Sequence, residues 1–587
     1  MNRNRKKKNR KKETGAVVSL FLVSSLAFGG CGTAVTSSSS VNAESARTES
    51  TGETSADNAD TTSESTDSEN AMESASDINF DLELTESTID TEFTDREKSG
   101  SYKASEAVKI TLNKTTATVS GSVAKADGST ITITEEGVYI VSGTLEDGQI
   151  IVDASDSDKV QIVLDGVHIN CETNAAIYVR EADKVFITLA ENSSNTLGGG
   201  NEYTQIDDNT VDGVIFSKSD LVCNGTGSLT IEADYKHGIV SKDDLVITGG
   251  TYKITAADNG ITAKDQLKIL DGSFVIDAAN SAVKAKNTDD TELGNIYIAG
   301  GVFTVKAEQD GFHATGSIVV DDGTITVNSG DDGSISGASD GKEPPQMPPD
   351  TENGSDMQPS QDFDPENAPS GGNAPQNFDP GNAPSDGDAP QMMQGGPGGG
   401  GNSELYIKIT GGTLTVSADG DGLDSNGGLL VTGGTTIVYG PTSDGDSALD
   451  YDGSAIVTGG TLAAIGSAGM TESFDEASTQ PVITYYCTET QSADTTITLT
   501  DSDGSALFTV TPEKAYASIV LTCPEMKLDA TYTLAAGTDN EEITLTDIIT
   551  TAGTRSVKTM SDPEGGKMPN NSDNKGTPPS KPNDTAE

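Results

Sequence analysis

Residues 237–258 read HGIVSKDDLVITGGTYKITAAD, and residues 259–280 read NGITAKDQLKILDGSFVIDAAN. The two segments match position by position, and each holds short alternating apolar and polar runs separated by Gly-Gly or Asp-Gly. A repeat of about 22 residues built in this way is typical of a β-solenoid, in which each unit forms one coil. This pair of segments therefore decides the fold class, and the rest of the chain can be aligned to it.

The repeat continues on both sides of this pair. Residues 281–310 repeat it with a short insertion, residues 311–332 follow, and residues 404–422 resume it after a Pro- and Gly-rich break. Alternation predicts which side chains point inward, and equivalent residues of successive coils stack about 4.8 Å apart. The predicted inward pairs are Leu245 and Ile247, Leu267 and Ile269, Ile296 and Ile298, Ile318 and Val320, Ile407 and Ile409, and Leu429 and Val431. These stacks predict a parallel β-helix.

Two further residues are placed inside by the same alignment. Tyr252 aligns with Phe274 and Phe303, which favours a core position over a sugar platform. Cys223 aligns with Ile247, which predicts a buried thiol. Cys487 and Cys523 lie on neighbouring predicted strands, and the sequence leaves open whether they form a disulfide.

The chain is predicted to be all-β. The solenoid is expected over residues 107–466, with a flexible Pro/Gly-rich insertion at residues 338–402 that interrupts one coil. Residues 473–552 lose the repeat and predict an antiparallel β cap domain covering the last coil, because an uncovered edge invites aggregation. Residues 555–587 are predicted to be a disordered tail.

The N-terminus predicts the compartment. Eight of the first twelve residues are Lys or Arg, and an apolar run from Ala16 to Phe28 ends at Gly29-Gly30-Cys31. Residues 1–31 therefore predict a lipoprotein-type signal peptide with Cys31 as the lipidation site, and an extracellular protein anchored to the bacterial cell membrane. A plain signal peptide and an uncleaved anchor are the alternatives. Residues 32–82, rich in Ser, Thr, Glu and Asp, predict a disordered tether.

The charge balance limits the classes of molecule that the protein can bind. With 36 Lys and Arg against 92 Asp and Glu, the formal net charge is -56. Nucleic acid is excluded as a partner, because phosphate binding needs clustered basic residues, and membrane contact is expected only through the anchor. The chain is expected to be a monomer. Such acidity indicates either a solvated acidic surface or disordered chain, or the binding of divalent cations and cation-bridged acidic ligands.

Aspartate residues cluster at one corner of the repeat. Residues 417–428 read SADGDGLDSNGG, and alignment places Asp at one position of three coils. Stacked carboxylates repel by roughly 1 kcal/mol even in water, and oxygen ligands converging from adjacent coils suit calcium. Solvated turns, which Asp also favours, are the alternative. The candidate metal ligands are Asp310, Asp331, Asp332, Asp419, Asp421, Asp424, Asp444, Asp446 and Asp450.

The coil DLVITGGTYKITAADNGITAKD and the segment DGDGLDSNGGLLVTGGTTIVYGPTSDGDSALDYDG resemble the bacterial carbohydrate-binding β-helix proteins, which are related in fold to pectate lyases. The resemblance covers residues 107–466. It implies a calcium-containing right-handed β-helix that recognises acidic plant polysaccharide such as polygalacturonate, with cellulose as a further ligand, and that has no catalytic activity. It places the calcium-rich corners on Asp310, Asp332, Asp419, Asp421, Asp424 and Asp450.

Candidate sugar contacts follow from the predicted outward positions beside the acidic corners. They are Lys284, His313, Asp424, Asp450 and Tyr451, and Tyr297 and Tyr406 are further outward tyrosines in a chain that has no Trp. A calcium-dependent polysaccharide lyase is the enzymatic alternative, with Lys284 as its base. A surface scaffold or adhesin with purely structural calcium is the third possibility.

Overall fold

The computed structural model describes residues 89–330, 335–337 and 405–555. Asp331, Asp332 and Cys31 lie outside the described residues, as do the predicted signal peptide, the 32–82 tether, the 338–402 insertion and the tail after Arg555. The chain divides into two units, Met1–Phe80 and Asp81–Glu587, and every described residue belongs to the second. No helix in the described part is long and apolar enough to cross a membrane.

The described residues form 41 strands and one short helix, α1, at Asp95–Lys98. The first ten strands are β1 Val108–Lys114, β2 Thr116–Val119, β3 Ala124–Asp127, β4 Thr130–Ile133, β5 Gly137–Leu145, β6 Gln149–Asp153, β7 Lys159–Cys171, β8 Ile177–Glu181, β9 Lys184–Leu189 and β10 Ser194–Gly199. The next twelve are β11 Gly213–Ser217, β12 Asp220–Gly225, β13 Ser228–Ala233, β14 His237–Ser241, β15 Leu245–Ile247, β16 Thr251–Ala256, β17 Ile261–Ala263, β18 Gln266–Ile269, β19 Ser273–Ala278, β20 Val283–Ala285, β21 Asn295–Ile298 and β22 Val302–Ala307.

The solenoid strands end with β23 Phe312–Ala314, β24 Ile318–Val320, β25 Thr324–Ser329, β26 Ile335–Gly337, β27 Tyr406–Ile409, β28 Thr413–Ala418, β29 Leu423–Ser425, β30 Gly428–Val431, β31 Thr435–Tyr439, β32 Leu449–Tyr451, β33 Ala455–Val457 and β34 Thr461–Gly466. The C-terminal strands are β35 Val482–Gln491, β36 Ile497–Thr500, β37 Ala506–Val510, β38 Tyr516–Thr522, β39 Thr531–Ala536, β40 Asp539–Thr544 and β41 Ile549–Gly553.

Three parallel ladders run along the solenoid, one on each face of the coil. The first ladder joins β5, β7 and β9 to every third strand from β12 to β33, and the second joins β10 and β13 to every third strand up to β34. The third is a separate sheet of twelve strands that ends at β32. The parallel solenoid is therefore established, and its right-handed sense stays a prediction.

Stacked apolar residues fill the interior as the repeat predicted. Leu245 pairs with Leu267 and Ile247 with Ile269, and the register continues through Ile296 and later coils. Tyr252, Phe274 and Phe303 form a buried stack with ring centroids 5.1 and 4.5 Å apart and nearly parallel planes. The core placement of Tyr252 is thus confirmed.

The thiols are also buried. Cys223 lies in register with Ile247, and burial raises the pKa of its thiol to about 12. Cys487 and Cys523 are both buried and free.

The ladders continue across the Pro/Gly-rich insertion. Strand β24 pairs with β27 and β25 pairs with β28 in parallel, so Ile318 lies beside Ile407 although many residues separate them in sequence. The two parts of the repeat therefore belong to one solenoid.

The C-terminal strands pair mainly antiparallel, although β35 and β41 pair in parallel. Strand β38 pairs antiparallel with β34, the last solenoid strand of the second ladder, and β36, β37, β39 and β40 form a four-stranded antiparallel sheet. A second apolar cluster, which includes Tyr485, Tyr516 and Leu534, packs beneath these strands.

An N-terminal strap, Ile89–Ser99, lies along the outer face of the first ladder. Phe93 contacts Phe186, Val222 and Val246, and its ring lies 6.0 Å from the ring of Tyr297. Polar contacts fix the strap at both ends. The Lys184 ammonium donates to the Glu97 carboxylate at 2.7 Å, the Lys268 ammonium donates to Asp90 at 2.8 Å, and Asn224 and Thr248 donate to the Glu97 carbonyl.

Candidate functional site

Two aspartates face each other on the last coils of the third ladder. Asp424 of β29 pairs in register with Asp450 of β32, and both side chains point outward because the flanking Leu423 and Leu449 fill the core. Neighbouring parallel strands lie about 4.8 Å apart, so the two carboxylates sit one strand apart on the same face. Both residues are predicted from the sequence as metal ligands and as sugar contacts.

A third carboxylate comes from a segment that the repeat does not predict. Residues 471–475 follow β34 and dock on the open side of β32 and β33, where the Tyr451 amide donates to the Glu472 carboxylate at 3.3 Å. The Ala455 amide donates to Asp475 at 2.9 Å, and Phe474 is buried in the main core. The docked segment holds Glu472 beside Asp450. We call Asp421, Asp424, Asp450, Asp452 and Glu472 the acidic corner.

Burial and like charges make two carboxylates of the acidic corner, Asp450 and Glu472, hard to ionise. Burial, reinforced by the charges of Asp450, Asp421 and Asp452, raises the pKa of Glu472 to about 7. Burial together with Asp452 and Asp446 raises the pKa of Asp450 above its usual range. Desolvation and like charges act in the same direction on an acid, so ionising both Asp450 and Glu472 is costly without a counter-charge.

The donor set of the corner fits a hard divalent cation. Every ligand it offers is a carboxylate oxygen, the donor type that calcium takes in flexible arrangements of six to eight. A bound cation would lower the raised pKa values of Asp450 and Glu472, because an opposite charge favours their ionised forms. As they stand, the described residues contain no group of three or more His, Cys, Asp or Glu side chains spaced to hold a metal ion.

The other predicted metal ligands are dispersed. The Asp310 carboxylate is buried, accepts a hydrogen bond from Ser281 at 3.0 Å and lies 3.2 Å from Nδ1 of His313. Asp419 forms an ion pair with Lys514 of the C-terminal strands, with Nζ and Oδ1 2.7 Å apart.

The loop before β32 carries the remaining two predicted ligands. Asp446 accepts a hydrogen bond from Ser443 at 2.7 Å, and its charge reaches Asp450. Asp444 is exposed and lines a pocket of about 160 Å³ together with Cys487 and Tyr516. Of the described metal candidates, the acidic corner includes Asp421, Asp424 and Asp450.

Lys284 and His313 occupy the same outward ladder as Asp424 and Asp450. Lys284 pairs with His313, and the register continues through β26 to Asp424. The structure therefore brings four of the five predicted sugar contacts onto one line, with Lys284 roughly 19 Å from Asp450 along the axis. However, Lys284 is 3 % exposed and His313 8 %, so the outward positions are covered.

The tyrosine predictions were wrong about orientation or access. Tyr451 lies in register with buried Ser425, its ring packs against the core, and its hydroxyl donates to the Ser473 carbonyl, so it faces inward. Tyr297 and Tyr406 do point outward, but they are only 6 % and 7 % exposed because Ile89 and Phe93 of the strap cover them. None of the three presents a platform for sugar.

A second acidic stack escaped sequence analysis. At the corner between the third and first ladders, Asp220, Asp243, Asp244 and Asp265 come from the repeated segments KSDL, KDDL and KDQL. Burial and the neighbouring aspartates raise the pKa of Asp244 to about 7 and that of Asp243 to about 6. The available signal was that a Lys is followed within two residues by Asp in each of these repeated segments. The lysines of these segments pair elsewhere: Lys242 pairs with Asp212 at 3.0 Å and Lys264 with Asp289 at 2.6 Å.

The structure defines a parallel β-solenoid that carries carboxylates at one outer corner, and comparison with known proteins gives its family. The family model described as carbohydrate-binding domain-containing protein matches residues 127–439, more than half of the chain, so the chain belongs to this family. A curated relative with the same description from Acetivibrio thermocellus is 39 % identical over 128 residues. That match covers 22 % of this chain and 45 % of the relative, so the chain spans less than half of the relative's length.

One solved structure is also similar to part of the chain. It is titled as the polysaccharide lyase-like protein from C. thermocellum, gadolinium derivative, and is 31 % identical with a TM-score of 0.38. The match covers 38 % of this chain and 92 % of that one.

Proposed function

We propose that the protein binds an acidic polysaccharide, with polygalacturonate as the reference ligand, at the acidic corner, and that it does so with calcium and without cleaving the polymer. The observation that carries the proposal is the half-buried carboxylate group around Asp450 and Glu472, whose raised pKa values reflect a charge excess that a cation would offset. A protein with a net charge of -56 repels polyuronate, so direct contact between the two needs a cation shared by both sets of carboxylates.

Binding without cleavage is supported by the positions of the basic residues. A lyase needs a base beside the sugar, and Lys284, the candidate named from the sequence, is buried. Arg180, the sole arginine between Arg96 and Arg555, is engaged with Asp207, with Nε and Oδ2 2.9 Å apart. Neither side chain is placed to reach a ligand at the acidic corner.

Co-sedimentation with insoluble polygalacturonate tests the proposal. The protein is expected to pellet with the polymer in calcium and to stay in the supernatant in excess chelator, with no unsaturated uronide released. The double variant Asp424→Asn/Asp450→Asn is expected to lose retention, whereas Asp501→Asn/Asp503→Asn, in an exposed turn of the C-terminal strands, keeps it. Retention that ignores chelator, or that survives the corner variant, refutes the role of the acidic corner. Released uronide would make the protein a lyase.

The remaining outcome is that calcium stabilises the protein but the protein does not bind acidic glycan. If calcium raises the melting temperature through the acidic corner while no acidic glycan is retained, the cation is purely structural and the protein is a scaffold or adhesin.

We further propose that the protein is carried on the outer face of the bacterial membrane by a lipid on Cys31. The support is the basic, apolar and small-residue layout of residues 1–31. Labelling with an alkyne fatty acid in the native host is expected to mark the wild type but not Cys31→Ala, and an unlabelled wild type refutes the anchor.

A further inference from the structure

A lysine of the solenoid and an aspartate of the strap meet near the beginning of the strap. Nζ of Lys268 lies 2.8 Å from Oδ2 of Asp90 and also donates a hydrogen bond to the Glu92 carbonyl. The contact joins β18 to a segment 178 positions earlier in the chain. An amine and a carboxyl held in contact are the two reactants of an amide bond, and fixing reactants side by side removes much of the barrier to their reaction.

Apolar side chains enclose the amine. On the outer face of the first ladder, Lys268 lies in register between Val246 and Tyr297, and the Phe93 ring covers it, with Nζ 5.2 Å from the ring centroid. The Lys268 side chain is 6 % exposed and that of Asp90 is 42 % exposed. An apolar surrounding disfavours a charged pair relative to a neutral amine and a neutral carboxyl, which are the forms that react. The exposed side of Asp90 lets a released water molecule escape.

The Asp90 carboxyl is held by hydrogen bonds on its other sides. The Gln266 side-chain amide donates to the Asp90 carbonyl at 2.7 Å, and its oxygen accepts from the Asp90 amide at 3.4 Å. Oδ1 of Asp90 accepts a hydrogen bond from the Glu92 amide at 3.1 Å. A donor in this position stabilises the negative charge that develops on Oδ1 when a nucleophile attacks the carboxyl carbon. Oδ2, the oxygen beside the amine, is then the one that leaves.

An acid with a raised pKa lies in the preceding coil. Asp244 directly precedes Leu245, as Gln266 directly precedes Leu267, and the two leucines are in register. Burial and three neighbouring aspartates raise the pKa of Asp244 to about 7, and Lys268 is close enough to act on it in the opposite direction. Near neutral pH this carboxyl can therefore hold a proton and supply it to a departing oxygen.

The ion pair at the other end of the strap differs in its protonation. Glu97 accepts hydrogen bonds from the Lys184 ammonium at 2.7 Å and from the Thr94 amide at 2.9 Å. Although burial acts in the opposite direction, these contacts lower the pKa of Glu97, and the pairing raises the pKa of Lys184. Both groups therefore stay charged, and an ammonium is not a nucleophile. This pair remains an ion pair and serves as a control.

We propose that Lys268 and Asp90 form an intramolecular amide bond, which crosslinks the strap to the solenoid. The Lys268 nitrogen attacks the Asp90 carboxyl carbon, so that a C–N bond forms and the C–Oδ2 bond breaks. One proton of the neutral amine joins the departing hydroxyl, and one water leaves, so the reaction needs no co-reactant. A pull on the chain before Asp90 then loads a covalent bond instead of the hydrogen bonds of the strap. The crosslink does not depend on any ligand at the acidic corner.

Intact mass spectrometry of the full chain tests the proposal. The wild type is expected to weigh one water, about 18 Da, less than the mass calculated for its sequence. Proteolysis is expected to yield a branched peptide that joins the segments around Asp90 and Lys268. Lys268→Arg and Asp90→Ala should have the full calculated mass, because each removes one reactant. Lys184→Arg, at the other end of the strap, is the matched control and should still lose one water.

The rate of crosslinking tests the part assigned to Asp244. After synthesis at pH 7, Asp244→Asn should slow the appearance of the crosslinked chain by about tenfold or more, and Asp244→Glu should restore part of the rate. An unchanged rate in Asp244→Asn would exclude this carboxyl from the reaction.

Three results would overturn the crosslink itself. The first is a wild type of full calculated mass, and the second is a loss of water that persists in Lys268→Arg. The third is a loss of water that maps to one linear peptide, which would be a succinimide on a single aspartate. Melting curves check that each variant folds, and the mass of the wild type decides the question even where a variant does not.

Discussion

Glu472→Gln should make the protein more stable above neutral pH. Glutamine keeps the oxygen that accepts the Tyr451 amide hydrogen bond but removes the charge that Asp450, Asp421 and Asp452 repel. Because the folded state raises the pKa of Glu472 from its ordinary 4.5 to about 7, the folded protein holds this proton more tightly than the unfolded chain does. Its contribution to stability is therefore greatest at acid pH and falls as pH rises from 4.5 through about 7.

The size of the effect follows from the same shift. A pKa shift of this size corresponds to a difference in the free energy of unfolding of about 3 kcal/mol at most. Glu472 is only half-buried, and solvent screening reduces the effect to about 1 to 2 kcal/mol. The variant should thus gain about that much over the wild type at pH 8 and nothing at pH 4, which amounts to a few degrees in melting temperature.

Thermal unfolding in chelator at a series of pH values, repeated with calcium, measures the difference. Calcium should raise the melting temperature of the wild type near pH 8 and have a smaller effect on the variant, because the variant offers one carboxylate fewer. Glu476→Gln, at an exposed position directly after the same segment, is the matched control and should follow the wild type. A wild-type melting temperature that rises between pH 5 and 8 relative to the variant would refute the reasoning.

Three further changes probe the core, the strap and the second acidic stack. Phe274→Ala should lower the free energy of unfolding by about 3 to 5 kcal/mol in denaturant titration, while the adjacent exposed Val275→Ala stays within about 0.5 kcal/mol; similar losses would contradict the stacked core. Glu97→Gln should weaken the tie to Lys184 and speed tryptic cleavage of the strap at pH 8, and an unchanged rate would show that the ion pair does not hold it. Asp244→Asn should raise the melting temperature most above pH 7 and by less at pH 5, because the carboxyl is protonated in both the folded and the unfolded chain only below its ordinary pKa of 3.8, and equal gains at both pH values would argue against a raised pKa.

The repeat was readable from sequence because its period is enforced by stacking. Each inward Leu, Ile or Phe must meet an equivalent residue one coil away, so the alignment of Leu245, Leu267 and Ile296 reproduces their pairing in the structure. The strap was not predictable in the same way. Its contacts to Lys268 and Tyr297 join residues far apart in sequence. The strap does not share the 22-residue repeat, and its two apolar side chains follow no strand periodicity.

The sequence predicted which aspartates point outward from the third ladder. It did not predict the residues that pack beside them. Asp424 and Asp450 follow from alternation, since both precede an inward residue at equivalent positions. Glu472 could not be found, because it belongs to a segment without repeat that folds back over β32. Tyr451 was misread because its neighbour Asp450 faces outward, and alternation then requires the tyrosine to face the core.

The strap has a consequence for the length of the molecule. In a simple solenoid each coil contacts only its neighbours, so coils can be gained or lost by duplication or deletion at little cost. Here one short segment contacts Lys184 at one end and Tyr406 at the other, across the coils from β9 to β27. Adding or removing a coil between them would change the distance between the strap's contact sites by one strand spacing. The strap, whose length is fixed, could then not make the contacts at both ends. It therefore fixes the number of coils over this part of the solenoid.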